Sequence, residues 1–279
     1  MKLEGKVAIV TASGRGIGRG IALCLAEEGA DVVVNSLHEE TTNKTAADVK
    51  ALGRRALAIA GDITTADKIA HVVQDTITAF GKIDILVNNV GGDRVTPKEA
   101  GGSFLGQVEA KWDGTYEQNL KVSVLMCKAV EPHFVKQKSG KIVNISSIAS
   151  RYATFLASAA YGSMKAALIR FSQSLADELG PYNINVNCIC PGLVYTDAWA
   201  RGTILTRIAE TMPEYKGMKP RDWFLGLIEG KYLELIAVTP LRREQTVEDI
   251  GHAVVFLVSE DAKNITGQSL NVDGGLVKN

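Results

Sequence analysis

Strand-like and helical runs alternate along this chain in a steady rhythm, and that alternation restricts it to a parallel sheet covered by helices on both faces. Parallel strands cannot be joined by tight turns, so each apolar run needs a crossover before the next. The pattern predicts strands near Lys6 to Thr11, Asp31 to Asn35, Arg55 to Ala60, Ile83 to Asn88, Lys141 to Ser146, Asn185 to Ile189 and Ser269 to Val272. It predicts helices near Gly16 to Glu28, Thr41 to Leu52, Ala66 to Phe80, Tyr116 to Lys136, Ala159 to Leu179 and Val247 to Val258. No composition break, linker or internal repeat divides the 279 residues, so residues 1–279 read as one α/β domain, doubly wound around a seven-stranded parallel sheet.

The first turn, Thr11-Ala12-Ser13-Gly14-Arg15-Gly16-Ile17-Gly18, follows an apolar strand and precedes a helix. Glycines there let the backbone approach a pyrophosphate, while the helix N-terminus supplies amide donors and a partial positive charge. Thr11, Ser13, Arg15, Gly16, Ile17 and Gly18 are therefore candidate dinucleotide contacts. The second strand ends in Val34-Asn35-Ser36-Leu37-His38, with no carboxylate to accept from an adenosine ribose. An acid there would repel the extra phosphate of NADP; Ser36 removes that obstacle and Arg15 adds a cation, so NADP is favoured over NAD. Asp62 and Ile63 follow the third strand, and Asn88, Asn89, Val90 and Gly91 follow the fourth. Both groups fall at the carboxyl edge where open α/β sheets bind ligands. Asp62 is either an acceptor for the adenine amino group or a helix cap, and the two asparagines either turn residues or a lock between strands.

Tyr161 and Lys165, four positions apart in a helical run, lie one turn apart on one face. A free phenol, with a pKa of about 10, is a poor base at neutral pH, and a neighbouring ammonium draws it toward the working range.

Composition narrows the partners. The 31 basic and 31 acidic side chains cancel and no basic run appears, which disfavours a nucleic-acid binder. No eighteen apolar residues follow one another and the chain opens directly into a strand, so neither a membrane span nor a signal segment is expected, and a cytoplasmic location is. Cys24, Cys127, Cys188 and Cys190 are too few and scattered for a disulfide scaffold and read as buried small hydrophobes. His38, His71, His133 and His252 show no ligand spacing, so no metal is expected.

Taken together, Thr11 to Gly18, Asn88 to Gly91, Asn119, Ser147, Tyr161 with Lys165, Pro191-Gly192 followed by Thr196, Ile265 to Gln268 and Asp273 to Gly275 resemble the short-chain dehydrogenase/reductase family, with similarity to its 3-oxoacyl reductase-like branch. The resemblance covers essentially the whole chain. It implies a single Rossmann-type domain and hydride transfer between a nicotinamide and a secondary alcohol or ketone. It further implies that Tyr161 is the acid or base, that Lys165 tunes it and holds the nicotinamide ribose, that Ser147 hydrogen-bonds the reacting oxygen, and that Asn119 supports a water in the proton relay. Pro191, Gly192, Val194 and Thr196 become cofactor contacts by the same likeness, and homodimers or homotetramers are implied through the helices near Tyr116 to Lys136 and Ala159 to Leu179.

Three positions depart from the pattern. Ala12 replaces a glycine and is strained if that position needs positive φ. Val90 stands for the usual alanine, and Ser147 lies one residue farther from Tyr161 than is common, implying a longer loop around Ser150 to Ser158.

Substrate choice is expected in residues 193–246, an insertion longer than an ordinary connection and rich in Trp199, Met212, Tyr215, Met218, Trp223, Phe224, Leu227, Ile228, Tyr232, Leu235 and Ile236. Apolar spacing through Asp222 to Ile236 predicts a short amphipathic helix over the pocket, either as a lid on a bulky, mainly apolar small molecule or packed on its own domain or a sister subunit. A second insertion, Gly92 to Gly106 with Asp93 and Arg94, is expected to wall the cleft. Two alternatives stand beside this reading: a 3-oxoacyl-[acyl-carrier-protein] reductase, for which Lys138 offers a docking cation but Tyr182 does not, and a non-catalytic NADP-binding regulator, which would not need Asn119, Ser147, Tyr161 and Lys165 together.

Overall fold

Apolar runs in which branched valines and isoleucines suit strands covered on both sides form seven strands in a computed structural model that describes residues 1–92, 108–153, 157–196, 217–229, 231 and 239–278. In chain order these elements are β1 (Val7–Val10), α1 (Gly16–Glu27), β2 (Asp31–Ser36), α2 (Glu39–Ala51), β3 (Ala56–Ala60), α3 (Ala66–Phe80), β4 (Ile85–Asn88), α4 (Glu109–Tyr116), α5 (Val122–Gln137), β5 (Gly140–Ile145), α6 (Ala159–Leu179), β6 (Ile184–Pro191), α7 (Pro220–Ile228), α8 (Val247–Val258) and β7 (Ser269–Val272).

The strands form one sheet in the order β3-β2-β1-β4-β5-β6-β7, every pair parallel. Alternation along each strand splits the core in two. Ala8 and Val10 of β1 pack with Ile21, Leu25, Val49, Ile250 and Val254 on the face covered by α1, α2 and α8. Ile9 packs with Ile69, Val72, Met126, Val130, Phe134 and Leu179 on the face covered by α3, α5 and α6. The expected doubly wound Rossmann architecture is what the chain forms. The strand order reverses between β1 and β4, so the crevice at their carboxyl ends is the natural ligand site.

One predicted helix is resolved into parts. Instead of a single helix near Tyr116 to Lys136, the chain runs through α4, a five-residue π-helical turn at Glu117–Lys121, and α5, which tolerates Pro132 in its interior. Single-turn π bulges are frequent at functional sites, and Asn119 lies at the middle of this one. The predicted helix over Asp222 to Ile236 is observed as Pro220–Ile228; residues 232–238 lie outside the described residues, as do Trp199, Met212, Tyr215, Asp93 and Arg94. No helix among the described residues is long and apolar enough to cross a membrane.

Helix α1 crosses α8 where small residues permit it. A methyl group on Gly20 would lie 2.7 Å from Val247 Cβ and 2.9 Å from the Val247 carbonyl, whereas one on Gly114 in α4 would meet nothing within 4 Å. Alanine improves intrinsic helix propensity by about 1 kcal/mol at either position, but overpacking against backbone costs about 1–3 kcal/mol. We expect Gly20→Ala to lower the urea midpoint and Gly114→Ala to raise it; a midpoint for Gly20→Ala at or above that of the parent chain would show the crossing to be loose.

Candidate active site

The two loops at the switch point are tied together before any ligand is considered. Thr11, just past β1, donates its backbone N–H to the Val87 carbonyl at 3.1 Å. Its hydroxyl oxygen accepts from the backbone N–H groups of Asn89 at 2.9 Å and Val90 at 3.2 Å. The Asn89 side chain returns the link, donating to the carbonyls of Thr11 and Ala12, each at 3.2 Å. Asn89 is thus a lock between the β1 and β4 ends. Gly18 makes the junction possible, since a methyl there would fall 2.4 Å from the Ala12 carbonyl and 2.5 Å from Asn89 Nδ2.

Ala12 takes φ of 51°, so the alanine does occupy a left-handed position that glycine would hold without strain. Its neighbours fix it there. Ser13 is fully buried, donating its N–H to the Asn35 carbonyl at 2.8 Å and its hydroxyl to the Val10 carbonyl at 2.7 Å. The Ser13 hydroxyl therefore braces the turn and does not face the crevice.

Helix α1 opens with no side-chain cap on its Arg15 N-cap and no acid in its first turn. By contrast, α8 closes its own N-terminus with a capping box between Thr246 and Asp249. The amides of Gly16, Ile17 and Gly18 are left to an anion, as a pyrophosphate site requires. Thr196, arriving from the far end of β6, places its methyl 3.5 Å from where a Gly16 Cβ would be, so the Pro191-Gly192 segment and the glycine turn face each other. Val194 beside it is buried and bridges to Gln245. Ser36 ends β2 against Gly14, where an added methyl would lie 2.8 Å from Ser36 Oγ and 2.7 Å from Thr41 Oγ1. Arg15, next to Gly14 in the chain, is exposed. Asp62 is exposed and accepts from the Thr64 N–H at 3.0 Å in an Asx turn, while α3 takes Thr65 as its N-cap. The cap reading of Asp62 is thereby replaced by a turn that keeps its carboxylate at the crevice edge. Ile63 turns its side chain into the core and can offer only backbone.

The second half of the site is built on α6. Ser158 caps that helix by accepting from the Tyr161 N–H at 3.2 Å, which puts Tyr161 in the first turn, where the helix dipole favours a developing phenolate. Gly162 lets α6 press against the turn that carries Ser147, because a methyl on it would lie 2.9 Å from the Ala149 carbonyl. Ser147 Oγ accepts from the Ala149 N–H at 3.1 Å, leaving its own hydrogen to donate.

Lys165 is the most constrained of the set. It is 3% exposed, its Nζ donates to the Ile145 carbonyl at 2.9 Å, and its own carbonyl accepts from Ser146 Oγ at 2.9 Å. The ammonium stands 5.8 Å from the centre of the Tyr161 ring. A methyl on Gly91 would fall 2.7 Å from Lys165 Nζ and 2.8 Å from Asn119 Oδ1, so Gly91 is the space in which these two groups meet. Asn119 is fully buried; its amide donates to Gly92 and Thr115 carbonyls at 3.0 and 3.1 Å, and its Oδ1 accepts from the Gly92 N–H at 2.9 Å. Its amide hydrogens are engaged, and Oδ1 lies against Gly91.

Some supporting residues were not singled out from the sequence. Asn144 accepts from Asn88 Nδ2 at 2.8 Å and donates to Ser172 Oγ at 2.7 Å, linking β4, β5 and α6 in a buried polar row that Cys188 extends, 3.1 Å from Ser172 Oγ. An asparagine inside the apolar run Lys141 to Ser146 was the available signal. Tyr195 is another: its ring meets Phe224 edge-on at 5.3 Å, and the Arg221 guanidinium, ion-paired with Glu244, lies 4.7 Å above it. These contacts fasten α7 to the body, and Trp223, Phe224 and Ile228 are buried there.

Burial lowers the Lys165 ammonium to a pKa of about 8 from 10.5. The sign of its effect on stability follows from linkage. Below pH 8 folded and unfolded chains both carry this proton; between about 8 and 10.5 the unfolded chain holds more, so the contribution of this group to stability rises with pH. We expect the difference in urea-unfolding free energy between the parent chain and Lys165→Met to move in favour of the parent from pH 8 to pH 10; a pH-independent difference would mean the ammonium is not desolvated.

Comparison with known proteins agrees with this geometry. The family model described as short chain dehydrogenase matches residues 6–203, and a second, described as enoyl-(acyl carrier protein) reductase, matches residues 229–277. The chain is 35% identical over 275 residues to the (2S)-[(R)-hydroxy(phenyl)methyl]succinyl-CoA dehydrogenase subunit BbsD of Thauera aromatica, covering 99% of this chain and 98% of the relative. Among solved structures it superposes on L-sorbose reductase from Gluconobacter frateurii, complexed with NADPH and L-sorbose, with a TM-score of 0.85, 29% identity and complete coverage of both chains. It also superposes on a 7α-hydroxysteroid dehydrogenase complexed with NADH and 7-oxo glycochenodeoxycholic acid, with a TM-score of 0.81, 33% identity, and coverage of 100% of this chain and 96% of that one. With its Rossmann sheet, its open α1 N-terminus and its Tyr161–Lys165 pair, this chain belongs to the short-chain dehydrogenase/reductase family and is a nicotinamide-dependent oxidoreductase.

Proposed function

We propose that the protein interconverts a secondary alcohol and a ketone with NADP, and that the substrate is bulky and mainly apolar. The observation that carries the reading is the meeting of Lys165 Nζ, Asn119 Oδ1 and Gly91 beside the Tyr161 helix turn, at the carboxyl edge where the uncapped α1 opens.

The residues present fit a dinucleotide. Gly18 and Gly91 let the β1 and β4 loops and the Lys165–Asn119 pair close around the crevice, and Gln245, 5% exposed with an amide unpartnered among the described residues, lies 2.6 Å from where a Gly192 side chain would start. Gly16, Ile17 and Gly18 would hold the pyrophosphate, Asp62 and the Ile63 backbone the adenine, Ser36 and Arg15 the ribose phosphate, and Pro191, Gly192, Val194 and Thr196 the nicotinamide end. When bound, the nicotinamide supplies or accepts the hydride. Tyr161 gives its hydroxyl proton to the substrate oxygen in reduction, or takes it in oxidation. Ser147 donates to the same oxygen as its charge develops. The Lys165 ammonium lowers the energy of the phenolate, and a water received by Asn119 Oδ1 connects Lys165 to solvent. This set also weighs against a regulator without catalysis.

NADP is favoured because no carboxylate stands at Ser36, and the acids that follow, Glu39 and Glu40, lie in the first turn of α2, where they complement its dipole. The substrate class rests on exposed apolar side chains on loops at the carboxyl edge: Tyr152 after the Ser147 turn, Met218 before α7, and Leu241 beside Gly274. Covering them contributes about 25 cal/mol per Å². A carrier-protein substrate fits less well, for Lys138 and Tyr182 precede β5 and β6 at the opposite edge of the sheet. The intermediate exposure of Leu125, Ala129, Ile169 and Phe171 on α5 and α6 supports homodimers or homotetramers through those helices.

Two measurements test the assignment. Tyr161→Phe should reduce turnover by about 10²–10⁴-fold with NADPH binding, followed by fluorescence, close to that of the parent; undiminished turnover removes Tyr161 from the chemistry. Ser36→Asp should raise the KM for NADP at least about tenfold, since a like charge beside the phosphate disfavours it, while NAD improves. An unchanged coenzyme ratio would place the phosphate elsewhere. In a substrate panel, faster turnover of small hydrophilic polyols than of cyclic or aromatic ketones would refute the apolar pocket.

A further inference from the structure

On the face of α1 away from the nucleotide cradle, Cys24, Glu27 and His252 converge. Their candidate ligand atoms, one sulfur, one carboxylate oxygen and one imidazole nitrogen, all lie within 4.8 Å of one another. Cys24 and Glu27 are one turn apart on α1, and His252 comes from α8, so the cluster exists only because these two helices cross. Gly251 brings the sulfur in: a side chain there would start 2.5 Å from Cys24 Sγ. Among the described residues the thiol's acceptor is distant, the Glu248 carbonyl at 4.0 Å. Among the described residues neither the Glu27 carboxylate nor the His252 imidazole has a hydrogen-bond or ion-pair partner. Both are exposed and free to turn, while Cys24 is 2% exposed and fixed.

We propose that Cys24, Glu27 and His252 form a zinc site that clamps α1 to α8. A thiolate, an imidazole and a carboxylate are the donor set of Zn²⁺; magnesium and calcium require oxygen ligands throughout. Tetrahedral bonds of about 2.0–2.3 Å bring ligand atoms within roughly 3.5 Å of each other. Rotation of the exposed Glu27 and His252 side chains supplies that tightening, and a water completes the fourth position. Binding replaces the thiol proton with the metal and releases that proton to solvent. The site is one that residue spacing did not reveal, because its sulfur and its nitrogen come from the first and last helices of the core. It stands apart from Tyr161 and does not depend on the proposed reaction. Its consequence is mechanical: α1, whose N-terminus opens on the crevice, is held against α8 two turns below that opening.

The test uses the full-length, tag-free chain stripped with a chelator. Cobalt titration should produce a thiolate-to-metal charge-transfer band in the near ultraviolet, which zinc abolishes by displacement. Zinc should also raise the thermal midpoint, as ligands of the folded state do. Cys24→Ala should lose the cobalt band, and His252→Ala should weaken zinc at least about tenfold by competition with a chromophoric chelator. Because His252 is exposed, its variant is expected to fold even if replacement of the buried Cys24 perturbs packing, and NADPH binding serves as the check. Absence of the cobalt band in the parent chain, or zinc affinity unchanged in His252→Ala, would overturn the proposal.

Discussion

A single desolvated ammonium sets the geometry of the site. Lys165 is buried with one carbonyl, that of Ile145, as its acceptor at 2.9 Å, and no carboxylate is among the groups that shift it. A charge kept from water in this way is tolerated only where its surroundings are rigid. The rigidity comes from both directions: the Ser146 hydroxyl holds the backbone of Lys165, and the Asn88–Asn144–Ser172 row holds β4, β5 and α6 in register beneath it. Burying the lysine gives up stability, and the rigidity around it holds the ammonium beside the Tyr161 ring.

The nucleotide side follows a complementary logic. At the switch point the chain leaves polar groups open where a ligand will lie and closes them elsewhere. Thr11 and Asn89 saturate one another, Ser13 is turned inward, and α8 caps itself, while α1 has neither a capping side chain nor an acid at its start. Ala12, with φ of 51°, carries strain in the same turn, held by the bonds of its neighbours. The strain sits where backbone must approach a phosphate.

The α7 segment shows why an apolar insertion has more than one reading. Its amphipathic face points toward the body through Tyr195, Phe224 and the Arg221–Glu244 pair, so Trp223 and Phe224 are already buried. Helix α7 is therefore fixed to the body, and Tyr152, Met218 and Leu241 are among the large apolar side chains left exposed in the described residues.

The sequence by itself determined the strand and helix alternation, the glycine turn, the Asn88–Asn89 pair and the Tyr161–Lys165 spacing, because each is a local matter of periodicity, backbone freedom or helical pitch. The structure places them at one edge of one sheet, and the family likeness agrees. Local reasoning did not reach the π turn that buries Asn119, since Tyr116 to Lys136 has the composition of an ordinary helix. Nor did it reach Asn144, whose partners Asn88 and Ser172 lie on other elements, or the approach of Cys24 to His252. Those depend on which helices cross and how closely, and only tertiary packing, through glycines such as Gly91, Gly162 and Gly251 where a single methyl group would not fit, decided them.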